Sequence, residues 1–317
     1  MTEAISRQGI ESRSLIVAMW GNLFMAAAGV LAGFLSNSAA IMMDGLFSMV
    51  GFVSLLLARR ISGRVTAGPD RLRPFGYAAD EAIFVTFRAL SLLGLVLAAS
   101  TTSIQRIIAY LRGEVPAPLN FGAMPYYYLI ITLTCFGLWW LHYRAWVKTG
   151  RSSDMLKLEG QAAAFDGAIT VASGLGLAAI YFFGKGPLAP IAPVGDSIIV
   201  LLLCAFAVGG YFRDLRGGLA ELAGVTASPD VIAVARRALR PALAEDGGRL
   251  SDLSVNKIGR THQVMVYYDP GRPVTAAQAD RLNLRMLRDL RGALPGADVM
   301  LVITEYPRRW PDEVWPG

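Results

Sequence analysis

A carboxylate inside an apolar run is the first chemistry this sequence offers. Asp44 lies in residues 36–51, SNSAAIMMDGLFSMVG, and the run continues through Phe52-Val53-Ser54-Leu55-Leu56-Leu57 to Arg59 and Arg60. Such a segment is long enough to cross a bilayer. A carboxylate there costs roughly 3 kcal/mol or more unless it faces protein, water or a cation. Two readings stay open: Asp44 and the nearby Ser48 line a transport path, or Asp44 sits near a membrane face and hydrogen-bonds a neighbouring helix. Other reactive side chains are few. His142 lies among Trp139, Trp140 and Trp146, where an aromatic belt at the membrane interface is expected. His262 is expected at the surface of the tail, and Cys135 and Cys204 each fall inside an apolar run, with no disulfide or metal framework implied.

The elements that hold these residues follow from composition. The chain has 317 residues, 54% hydrophobic and 17% charged, which suits a membrane domain joined to a soluble one. A charge of +6 invites a nucleic-acid partner, but the arginines cluster between apolar runs rather than interleaving with aromatics, so nucleic acid is excluded. Residues 1–14 carry Glu3, Arg7, Glu11 and Arg13 and lack a cleavable signal pattern. Six runs qualify as spans, at about residues 15–35, 39–58, 82–102, 126–146, 158–183 and 198–212, the last extended upstream through Asp196. Asp196 either caps that helix or lies at an outer vestibule.

Positive charge orients the bundle. Arg59, Arg60, Arg64, Arg71 and Arg73 follow the second span, Arg144, Lys148, Arg151 and Lys157 join the fourth to the fifth, and Arg213 and Arg216 follow the sixth. The opposite loops carry few positives, which predicts cytoplasmic termini. Arg106 and Arg112 run against this weakly, and both can snorkel. Gly29-x-x-x-Gly33 and the small residues at 162–164, 167 and 168 predict close helix packing.

Beyond Gly217-Gly218 the composition changes. Ser228-Pro229-Asp230 reads as an N-cap starting an amphipathic helix to about Ala244; strands follow at 253–258 and 262–268, then a helix at 275–294 and a third strand at 299–304. The expected organisation is an N-terminal segment 1–14, a six-helix membrane domain 15–216, a linker 217–227, a cytoplasmic α+β domain 228–307 and a tail 308–317. The αββαβ order predicts a ferredoxin-like domain.

Six spans, the stretch SAAIMMDGLFSM, Arg73-Pro74-Phe75-Gly76-Tyr77 followed by Glu81, Phe165-Asp166-Gly167 in the fifth span and the αββαβ tail together resemble the cation diffusion facilitator family of divalent-metal/proton antiporters. The resemblance runs from about Leu15 to Pro307. It implies a secondary transporter rather than an enzyme, a homodimer joined through the tail domain, a metal site shared by spans two and five, no bound cofactor and a bacterial-type inner membrane.

The site residues depart from the family pattern. The positions expected to carry ligands in the second span are Phe47 and Gly51, and those in the fifth are Ala162 and Asp166, so of four ligands only Asp166 has a donor atom. Zinc wants about four ligands at about 2.0 to 2.3 Å, and a lone Asp166 does not supply them. Arg88 in the third span sits about 10 Å deep and Asp166 about 12 Å deep, counted at about 1.5 Å per residue, so Arg88 is expected either to pair with Asp166 as a fixed counter-ion or to snorkel to the inner face. Three functions are then expected: divalent-cation efflux through a non-standard site containing Asp166, Asp44 and Ser48; transport of a hydrated cation such as Mg²⁺ or Mn²⁺; or a pseudo-transporter that keeps the dimer as a scaffold.

Overall fold

Long uninterrupted apolar segments form long helices. The computed structural model describes residues 2–65, 70–73, 76–114, 116, 118–148, 154–259 and 261–307; Arg64's side chain, Pro74, Phe75, Arg151, Lys157's side chain and the 308–317 tail fall outside what is described. Among the described residues six helices are apolar and long enough to cross a membrane: α1 (Thr2–Ser36), α2 (Ala39–Val65), α3 (Ala79–Leu111), α4 (Met124–Lys148), α5 (Asp154–Phe183) and α6 (Gly195–Leu222). The chain is an integral membrane protein with these helices as its spans. By contacts it divides into two compact units, residues 1–59 with 87–214 and residues 60–86 with 215–317.

In the first unit, α1 and α2 meet without a side-chain layer between them. A Cβ added to Gly33 would lie 2.7 Å from the Met42 nitrogen, and one added to Gly45 would lie 2.8 Å from the Gly29 carbonyl carbon. The predicted small-residue packing is therefore real, and α2 supplies its other half. The turn between the two helices is very short, with Asn37 at φ 55 and Ser38 N–H donating to the Gly33 carbonyl at 3.1 Å. α4 packs most closely on α5 and then on α1 around Met25, Tyr127, Ile131, Cys135, Leu138 and Leu177. Cys135 and Cys204 are free and buried.

In the second unit, Asp70 organises the loop ahead of α3. Its Oδ1 accepts from the backbone N–H groups of Leu72 and Arg73, both at 2.8 Å, and its Oδ2 accepts from the Tyr77 hydroxyl at 2.5 Å. These donors hold the Asp70 carboxyl below its ordinary range. Gly76, at φ 76, makes the bend that follows Arg73. The segment expected to be a linker is helical as far as Leu222: α6 passes through Gly217 and Gly218 because Gly218 lies against Thr86, where a side chain has no room.

The rest of this unit is α7 (Pro229–Asp246), β1 (Arg249–Ile258), β2 (Thr261–Asp269), α8 (Ala276–Ala293) and β3 (Asp298–Ile303). The sheet order is β1-β2-β3, with β1 antiparallel and β3 parallel to β2. Both helices cover one face, burying Leu239, Leu243, Val255, Val264, Val266, Tyr268, Met286 and Leu290. β1 begins at Arg249, before the predicted 253, because its register shifts between Leu250 and Asp252 and the alternation is lost there. Ser228 precedes α7 but its side chain makes no cap, whereas Thr275 forms a reciprocal capping box with Gln278 at α8. His262 is half-buried rather than at the surface: its Nδ1 has no hydrogen-bond partner, and burial, with Lys257 opposite it, lowers its pKa.

Candidate cation site

Helical periodicity brings the candidate residues to one place. A cavity of about 270 Å³ in the first unit is lined from all six helices, and its walls include Asp44, Phe47, Ser48, Gly51, Arg88, Ala162 and Asp166. On α2 the spacing 44, 47, 48, 51 is a single helix face; on α5 so is 159, 162, 166, 170. Asp44 and Ser48 stand one turn apart, as do Ala162 and Asp166, so α2 presents one carboxylate to the space and α5 presents two, Asp166 and Glu159.

Asp44 is half-satisfied. Its Oδ2 accepts from the Tyr127 hydroxyl at 2.6 Å and lies 3.4 Å from the Thr170 hydroxyl, whose one proton is shared with the Asp166 carbonyl, while no described hydrogen bond reaches Oδ1. Asp44 thus bonds to neighbouring helices and also lines the cavity. Asp166 is open to the cavity and its carboxylate makes no described hydrogen bond or ion pair; Thr170 donates instead to its backbone carbonyl, at 2.9 Å. Asp44, Arg88 and Glu159 lie within electrostatic reach of Asp166.

Arg88 lines the same cavity as Asp166, and among the described ion pairs within 4.0 Å none joins the two. Phe47 faces the cavity with its ring centroid 6.0 Å from that of Tyr211. At Gly51 the missing side chain is filled from elsewhere: a Cβ there would lie 2.8 Å from Asn22 Oδ1. The Asn22 Nδ2 donates to the Ala18 carbonyl at 3.0 Å, which leaves Oδ1 as an acceptor in the cavity.

Three lining residues escaped the sequence reading. Asn22 is a lone amide in an apolar span. Glu159 stands seven positions, two helical turns, ahead of Asp166, a spacing that could have revealed it. His142 points inward and not into an aromatic belt: it is 1% exposed and its Nδ1 lies 2.8 Å from the Ser14 hydroxyl. Asp196 belongs to a different place. It caps not its own helix but α2, accepting from Ser38 Oγ and Ala39 N–H at 2.6 Å each and from Ala40 N–H at 3.3 Å. Arg106 lies 4.0 Å from it, beside a hollow of about 140 Å³ that Asp196 also lines.

Chemically, the cavity offers mainly oxygen: the carboxylates of Asp44, Asp166 and Glu159, the Ser48 and Thr170 hydroxyls and the Asn22 carbonyl oxygen, while the His142, Cys135 and Cys204 side chains that also line it are engaged with Ser14, Met25 and Val96. Oxygen donors suit hard cations, whereas zinc favours nitrogen and sulfur. No curated protein matches the chain. Residues 15–223 match the family model for the cation efflux transmembrane domain, a span that takes in α2 to α6, α1 from residue 15 onward and every residue of this cavity. Matched along about two thirds of its length, the chain belongs to the cation diffusion facilitator, or cation efflux, family of transporters.

Proposed function

We propose that this protein exports a divalent cation by alternating access, in exchange for protons, with Asp44 and Asp166 as the carboxylates that hold it. The observation that carries this is that the two aspartates, from α2 and α5, line one cavity within electrostatic reach of each other. Ser48 and Asn22 add neutral oxygens, which favours Mg²⁺ or Mn²⁺, cations that keep part of their water, over Zn²⁺. Positive loops support cytoplasmic termini in a bacterial-type inner membrane. The αββαβ order supports a ferredoxin-like tail. Its uncovered sheet face, with Met265, Tyr267, Met300 and Val302, supports homodimerisation through that domain.

The test is cation uptake in reconstituted vesicles under an imposed proton gradient, with Mn²⁺, Mg²⁺, Co²⁺, Fe²⁺ and Zn²⁺. Mn²⁺ or Mg²⁺ flux that Asp166→Asn lowers by about tenfold or more, the equivalent of about 1.4 kcal/mol, is expected. Robust zinc flux indifferent to Asp166→Ala would place the site elsewhere. A second reading, a scaffold without transport, is favoured by one observation: among the described residues no group of three or more His, Cys, Asp or Glu could hold a metal ion. Absence of flux for every cation from an intact dimer is the result that selects it.

A further inference from the structure

The cavity holds more charge than the transport reading uses. Besides Asp44 and Asp166 its walls carry Glu159 and Arg88, the only Lys or Arg side chain among the described lining residues. Glu159 shares the cavity-facing side of α5 with Asp166, two turns or about 10 Å along the axis. Arg88, from α3, lies within electrostatic reach of both carboxylates of α5. No described ion pair within 4.0 Å commits it to either one. His142 also lines the space, engaged with Ser14. When all three carboxylates are ionised, as they are with a cation bound among them, three negative charges against one guanidinium leave two.

We propose that Arg88 and Glu159 are specificity-determining residues that compensate each other, so that the cavity presents the charge of two carboxylates to its cargo and selects a divalent cation. This rests on the transport reading and adds the residues that set the valence. A cation of charge +2 neutralises the cavity; a monovalent one leaves it charged in a poorly hydrated space, which is unfavourable. Without Arg88 the cavity would hold a divalent cation too tightly to release it. Without Glu159 the guanidinium would have only Asp44 and Asp166 to face, and would occupy the cargo's place.

The two residues therefore make opposite predictions, which a merely structural role does not. Mn²⁺ binding is measured on the purified full-length protein in detergent, at fixed pH and ionic strength. Arg88→Gln tightens Mn²⁺ binding by about tenfold or more and slows its efflux from vesicles, less than the full effect of one unit charge about 10 Å from a divalent cation in an effective dielectric near 20 because dissolved ions screen it. Glu159→Gln weakens binding by about tenfold. The double variant R88Q/E159Q returns to within about threefold of the wild type, and Arg88→Lys stays closer to the wild type than Arg88→Gln. If both single variants weaken binding, or neither changes it, the compensation is overturned. If a single variant does not survive purification, the double variant carries the test, and binding more than tenfold weaker than wild type overturns the proposal. Wild-type protein that binds neither Mn²⁺ nor Mg²⁺ sinks the transport reading and this one together; wild-type binding with same-sign shifts sinks this one alone.

Discussion

Asp196 and Asp166 are treated in opposite ways by the same helix bundle. Asp196, at the start of α6, is 4% exposed and accepts a hydroxyl and two backbone N–H groups from the first turn of α2. Asp166, midway along α5, faces open space with no described donor to its carboxylate. A carboxylate whose oxygens are all engaged belongs to the architecture. One left without partners holds a charge the fold does not use, and it is available to a ligand. Asp44 stands between them, with one oxygen engaged and the other without a described hydrogen bond.

That ordering can be broken by experiment. The largest effect is expected for Asp196→Ala, which strips the N-terminal cap of α2 and a charge-assisted bond to Ser38, for a loss of about 2 to 4 kcal/mol in unfolding measured in detergent. A loss under about 1 kcal/mol would show that the α2 cap is dispensable. Tyr127→Phe removes the shorter of the two bonds to Asp44 and is expected to cost about 1 kcal/mol in the same assay. Because Asp44 then keeps only Thr170, transport should fall along with stability; unchanged flux would separate Asp44 from the cation path. The smallest effect belongs to Asp166→Asn, whose unfolding midpoint should correspond to a change within about 0.5 kcal/mol while flux is lost. A drop of about 2 kcal/mol or more would mean that Asp166 has a structural partner and that the contrast with Asp196 fails.

Much of the bundle is legible in the sequence because membrane spans are local: twenty apolar residues announce themselves without reference to anything else. The upstream extension of α6 through Asp196 follows the same logic and is observed. The target of Asp196 is not legible, since Ser38 lies 158 positions away and nothing in either stretch names the other. Gly217-Gly218 misleads for a related reason. Two glycines suggest a break when read along the chain, yet Gly218 is small because Thr86 needs the space, and the helix carries on. In the cavity the same-face positions of α5 follow from periodicity alone, so Glu159 was within reach of a reading by helical turns. Asn22 filling the space beside Gly51 was not, because it depends on how α1 crosses α2.

The cap that joins α6 to α2 also governs which motions the bundle can make. Asp196 grips the backbone of Ala39 and Ala40, and Asp44 follows four residues after Ala40, about 6 Å further along the axis. With its first turn held, α2 can pivot about that end but cannot slide past α6 without breaking all three bonds. A pivot about that anchor sweeps residues in proportion to their distance from it, so Ser48 and Gly51 move further than Asp44. Any rocking that opens the cavity then widens it from the Gly51 side, while the carboxylate of α2 stays close to the fulcrum.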